Sequence, residues 1–106
     1  MTPPPTQGSV DDADKSAIQA ALFEQLVSGH GQMALTFLGK LPDPHTGEAA
    51  EPDLTAAKIF IDQLDMLQVK TRGHLGASEI HLLDRTLSTV HGAFLECAKA
   101  LNSQAT

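Results

Sequence analysis

Tryptophan and tyrosine are absent from the 106-residue chain, and cysteine occurs once. Lacking the first two, the chain is a poor candidate for an aromatic recognition surface or a base-stacking platform. The single Cys97 cannot close an intramolecular disulfide, which fits a reducing compartment. No run approaches the roughly 20 apolar residues that cross a bilayer. The first residues, Met1-Thr2-Pro3-Pro4-Pro5, carry neither the basic nor the apolar segment of a signal peptide. A cytoplasmic location is expected, with no membrane partner. Seven basic residues stand against thirteen acidic ones and form no stripe, so nucleic acid is not an expected partner. No HExxH, CxxC or nucleophile–base constellation occurs. No metal, cofactor or catalytic residue is therefore assigned, and the chain is not read as an enzyme.

What is present is helical patterning with acid at its margins. Of the formal charge of -6, residues 1–14 contribute Asp11, Asp12 and Asp14, and residues 42–53 contribute Asp43, Glu48, Glu51 and Asp53. The remaining stretches nearly cancel. Residues 1–15 read as a disordered, acidic, proline-rich tail, 16–102 as a single helical domain, and 103–106 as a second tail. A packed part of roughly seventy residues is marginal alone, which favours oligomerisation.

The first helix is expected from about Ser16 to Leu41. Ile18, Leu22, Leu26, Met33, Phe37 and Leu41 form its stripe, widened by Phe23, Val27, Ala34 and Leu38. Gly29 and Gly31 interrupt it, each costing about 1 kcal/mol relative to alanine. They mark either a close approach by a neighbouring helix or a bend. Three prolines and a glycine make residues 42–52 a loop, long enough to cross over the bundle. Asp53 is a good N-cap for a second helix whose apolar positions are Leu54, Ala57, Phe60, Ile61, Leu64 and Leu67. The segment Thr71-Arg72-Gly73-His74-Leu75-Gly76 must turn the chain tightly, making the second and third helices antiparallel neighbours. In the third, Ile80, Leu83, Leu87, Val90, Phe94, Cys97 and Leu101 alternate spacings of three and four, a heptad seam.

The stretch DLTAAKIFIDQLDMLQVKTRGHLGASE resembles a family of small bacterial proteins, DUF1844, whose pattern there is Ak-x-x-ID-x-L-x-x-L-x-x-KT-x-GNLT-x-EE. GQMALTFLG is similar to that family's qAl-x-x-LG segment, and LSTVHGAFLE to its L-x-x-LR-x-x-F ending. The resemblance covers roughly residues 20–96 and implies no particular activity. His74 stands where the family has Asn, Gly76 where it has Thr, and His91 where it has Arg. The family's T-x-x-E looks like a capping box opening the third helix; here it becomes Gly76-x-x-Glu79.

The sharpest candidate site is the turn carrying Lys70, Thr71, Arg72, Gly73 and His74. Two cations, permissive glycines and a following helix start suit an anion. The bland alternative is that Lys70 and Arg72 complement the end of the second helix while the glycines make the turn. Asp62 is expected to reach Lys70 or Arg72, as a structural ion pair or a solvated acid, and Glu79 to act structurally at the helix start. None of His30, His45, His74, His81 and His91 has a helically spaced histidine partner. Cys97 lies on the seam as a small buried hydrophobe.

The expected fold is all-α: three helices, the first long, the second and third an antiparallel hairpin, with a core including Leu26, Phe37, Phe60, Leu64, Leu67, Leu83, Leu87, Val90 and Phe94. Excess apolar surface on the second and third helices points to a helical-bundle homodimer. Two functions are carried forward: a self-association or protein-interaction module, and a module binding a small anion or phosphate group at the Lys70–Gly76 turn.

Overall fold

The computed structural model describes residues 4–105, with side chains for 14–103. Among these the chain forms three α-helices and no strand: α1 (Pro4–Phe37), α2 (Leu54–Lys70) and α3 (Ala77–Ala105). No described helix is long and apolar enough to cross a membrane.

Three helix boundaries depart from the pattern-based expectation. α1 begins at Pro4 instead of near Ser16. Proline is tolerated in a first turn, where its missing N–H would have no helical partner. A proline-rich start is therefore compatible with a helix as well as with a tail. α3 continues to Ala105, past the expected end at 102. Of the tails expected at 1–15 and 103–106, residues 1–3 and Thr106 lie outside the described residues.

α1 stops at Phe37, not Leu41, for a local reason. Gly39 adopts φ +75, its N–H donates to Thr36 O (3.0 Å), and Lys40 N–H donates to Leu35 O (2.9 Å). That pair of bonds is the Schellman closure, which needs the left-handed conformation that glycine adopts without penalty.

The segment between α1 and α2 does not cross the bundle. Asp43 N–H donates to Glu48 O and Gly47 N–H to Asp43 O, folding 42–49 back on itself, with an isolated bridge from Pro42 to Ala49. Asp53 N–H then donates to Phe37 O at 2.7 Å, tying the start of α2 to the end of α1. Asp53 also caps α2, accepting from Ala56 N–H at 3.0 Å. α2 therefore descends directly beside α1. Phe37 stacks on Phe60 (centroids 5.7 Å), and further along His30 meets Gln63.

α3 returns antiparallel to α2, tied by Gln68 to Asp84 (2.7 Å) and by His91 to Asp65 (2.9 Å). It thus runs parallel to α1. The core is Val27, Ala34 and Leu38 from α1, Ala57, Ile61 and Leu64 from α2, and Leu83, Leu87, Val90 and Cys97 from α3. Phe37, Phe60, Leu67 and Phe94 pack partly buried against it. At the far end Lys40 donates to Glu96; this hydrogen bond raises the Lys40 pKa and lowers that of Glu96.

One core assignment fails. Leu26 is 46% exposed, and Ile18, Leu22 and Met33 of the same stripe are exposed with it. A stripe advancing strictly by fours rotates about 40° per step around a helix of 3.6 residues per turn. α1 instead buries the neighbouring line through Val27, Gly31, Ala34 and Leu38. Gly31 and Ala34 are small, and the Gly31 backbone sits so close to α3 that a Cβ built there would lie 2.8 Å from Thr86 Cγ2. Gly29 is different: a Cβ there would meet nothing within 4 Å. The two glycines separate into one required by packing and one that packing inside the chain leaves unexplained.

The chain is elongated. Its radius of gyration is 18.4 Å, against about 13 Å for a compact domain of this length. From Asp14 to Leu22 α1 is exposed on every side, because α2 ends opposite Leu26.

Substitution separates the two glycines. Gly29→Ala is expected to raise stability by roughly 0.5–1 kcal/mol through helix propensity. Gly31→Ala is expected to lower it by about 1 kcal/mol, overpacking outweighing the same propensity gain. Adding Thr86→Ser, which removes only the opposing methyl, should recover most of that loss. Urea melts of the four proteins check this; a Gly31→Ala variant as stable as Gly29→Ala would contradict the close approach.

Candidate functional site

The turn from α2 to α3 is built from local bonds. Lys70 closes α2. Thr71 caps it: its N–H (3.0 Å) and its Oγ1 (2.7 Å) both donate to Leu67 O. Arg72 N–H donates to Val69 O, and His74 N–H to Thr71 O at 2.9 Å, closing a four-residue turn. Gly73, third in that turn, has φ +85, the backbone region that a side chain would strain. Gly76 then opens α3. Its C=O accepts from Ile80 N–H (3.0 Å), and its own N–H donates to Glu79 Oε1 (2.8 Å).

That last bond is half of a capping box. The acid three residues in reaches back to the cap residue, as the Gly76-x-x-Glu79 spacing predicts. The other half, a side-chain oxygen on the cap residue, is missing because the cap is glycine.

Beside the turn lies an open cavity of about 290 Å³, with Thr71, Arg72 and Gly73 on one side, Gln68 and Asp84 on another, and Leu75, Ile80 and Leu83 beneath. The structure thus gathers three of the five expected turn residues, while Lys70 and His74 do not line the space. Gln68 and Asp84 were not anticipated. They are sixteen positions apart and joined by a hydrogen bond across the hairpin, and no spacing rule connects them. Asp62 does not reach Lys70 or Arg72. It pairs with Lys58, one turn earlier on α2 (2.8 Å), the i,i+4 geometry that an exposed helix favours.

The chemistry available here is limited. The Thr71 hydroxyl is engaged with a backbone carbonyl. The Glu79 carboxylate already accepts from the Gly76 N–H, at the cap residue just before α3, and so places its own negative charge where an external anion would bind. Arg72 offers a cation to the cavity, but Asp84 places a carboxylate on the same wall. Among the described residues no three or more His, Cys, Asp or Glu side chains converge to hold a metal. Two histidines tie helices together. His30 Nδ1 donates to Leu26 O (3.1 Å) while Nε2 lies 2.7 Å from the Gln63 amide oxygen, and His91 bonds Asp65.

A second surface feature lies on the outer side of α1 and α2. Leu26 and His30 of α1 share a groove with Gln63, Met66 and Leu67 of α2. Ile18, Leu22 and Met33 continue it along α1, and Ile59 continues it along α2, all exposed.

Over residues 20–96 the sequence matches a family model described as Domain of unknown function (DUF1844). The chain belongs to the DUF1844 family. The DUF1844 match contains the hairpin turn, its cavity, the Gly31 contact and most of the outer groove; Ile18 falls before it. No curated protein and no solved structure matches the chain.

The capping geometry of this DUF1844 chain carries a prediction. Gly76 lacks a positive φ, and a Cβ there would meet only Glu79 Oε1, at an ordinary 3.6 Å. Gly76→Thr should complete the capping box and stabilise the fold by a few tenths of a kcal/mol to about 1 kcal/mol. Thermal unfolding followed by circular dichroism checks the sign; a lower Tm would mean that α3 is not capped by Gly76.

Proposed function

We propose that this DUF1844 protein is a non-enzymatic helical interaction module that binds through the outer face of α1 and α2. One observation carries the reading. Ile18 (57% exposed), Leu22 (56%), Leu26 and Met33 on α1, with Ile59 (55%) and Met66 on α2, are exposed along two adjacent helices, and Leu26 and Met66 share one groove between them. Scattered exposed leucines are ordinary, but a contiguous apolar band on a small protein is characteristic of a surface that meets a partner. α3 contributes little to it, because the middle of its seam is used inside the chain. The apolar surface expected on the second and third helices is also present: Val69 of α2 and Ile80, Leu95 and Leu101 of α3 are exposed, outside this groove. A lone buried cysteine supports a cytoplasmic setting.

A photoreactive amino acid at Leu22 or Ile59, in the cell that makes the protein, is expected to give cross-linked adducts. The same label at Ser88, exposed on α3, should not. Equal labelling at all three positions, or none, would remove the reading.

The second reading, a small anion or phosphate group at the Lys70–Gly76 turn, is favoured by Arg72 beside a cavity of suitable size and opposed by Asp84 and Glu79. A panel of phosphate compounds decides it. A rise in melting temperature abolished by Arg72→Gln or by charge reversal at Lys70 supports the anion site. No shift across the panel eliminates it.

A further inference from the structure

We infer that the occupant of the outer face is a second copy of this chain, with the two α1 helices packed antiparallel and Leu22 at the two-fold centre. This rests on the interaction-module reading and names its partner.

α1 has two unequal halves. From Val27 onward it is held between α2 and α3, but its flank over Ile18 and Leu22 extends past the end of α2 and has nothing across from it. That flank is neutral in a chain of formal charge -6. Between Ile18 and Met33 the only acid is Glu24, which lies in the groove beside Ser78 and Glu79 of α3, off the exposed band. An uncharged face is what a second acidic copy can approach without local repulsion.

The spacing along α1 is self-complementary. Ile18 and Leu26 each lie about 6 Å along the axis from Leu22, at 1.5 Å per residue. Reversing a second helix about Leu22 therefore sets Ile18 against the other copy's Leu26, and Leu22 against Leu22. Lys15 and Gly29 lie one heptad either side. In the same register the aliphatic stem of Lys15 crosses the other copy's Gly29, whose open Cβ position the chain's own packing does not use. The register covers the half-exposed Ile18, Leu22 and Leu26 of each copy, on the order of 300 Å² of apolar surface per copy. The pair is therefore a small interface, at the weak end of specific ones. The elongated shape of the single chain agrees with an arm that finds its cover in a partner.

Two measurements test this on the full chain. Sedimentation at tens of micromolar should give twice the chain mass, and Leu22→Glu should give the chain mass with unchanged helicity. Under mild copper-catalysed oxidation Leu22→Cys should form a disulfide-linked dimer rapidly. Wild type, whose Cys97 is buried, and Met33→Cys, which this register leaves far from its mate, should not. A monomeric wild type, or equal cross-linking at positions 22 and 33, overturns the proposal. The two failures are distinguishable. A monomer whose in-cell cross-link at Ile59 is lost on Leu22→Glu rejects the second copy and keeps the broader reading, whereas a monomer with no cross-link rejects both.

Discussion

The approach of the Gly31 backbone to Thr86 decides which side of α1 belongs to the chain's own core. α1 carries two apolar lines, one through Val27, Ala34 and Leu38 and one through Ile18, Leu22 and Leu26. Both cannot face inward in a three-helix arrangement. The smaller line wins because small side chains let helix axes come close, and close axes bring α3's larger Leu83, Leu87 and Val90 into full contact. Once α1 is fixed by that contact, its bulkier line is turned to the outside. The exposed band is a consequence of the core and not a defect in it.

The rest of the fold follows from termini and caps. Gly39 ends α1 with a Schellman closure, Asp53 opens α2, Thr71 ends it and Glu79 helps to open α3. Each device satisfies backbone groups that a helix end leaves unpaired. Their placement sets the loop lengths and so the antiparallel order of neighbours. The hairpin turn has the cations and glycines of an anion site. Its polar groups are largely committed to their own chain, and an acid shares the cavity with Arg72.

Much of this was legible in the residues. The heptad seam of α3 identified Leu83, Leu87, Val90 and Cys97 as buried. Asp53, the tight turn and the half capping box at Gly76 were readable because capping is local chemistry with fixed offsets. What escaped was tertiary. Nothing in the spacing tells which of two overlapping lines on α1 faces inward, or that Gly31 touches a neighbour while Gly29 does not. The connection after α1 was read as long enough to cross over because its length permits it, but the Asp53–Phe37 bond that shortens its path is non-local. Asp62 was assigned a distant partner when Lys58, four residues away on the same helix, was nearer. Gln68 and Asp84 became part of the cavity only when the hairpin closed.

α1 is thus one helix with two faces: its C-terminal half is core to its own bundle, and its N-terminal half carries the exposed flank that the proposed second copy would cover. Amide hydrogen exchange at two protein concentrations measures this most directly. Amides of 27–38 should be strongly protected at both, whereas those of 14–26 should lose protection on dilution. Exchange over 14–26 that is independent of concentration, or fast exchange over 27–38, would contradict the account.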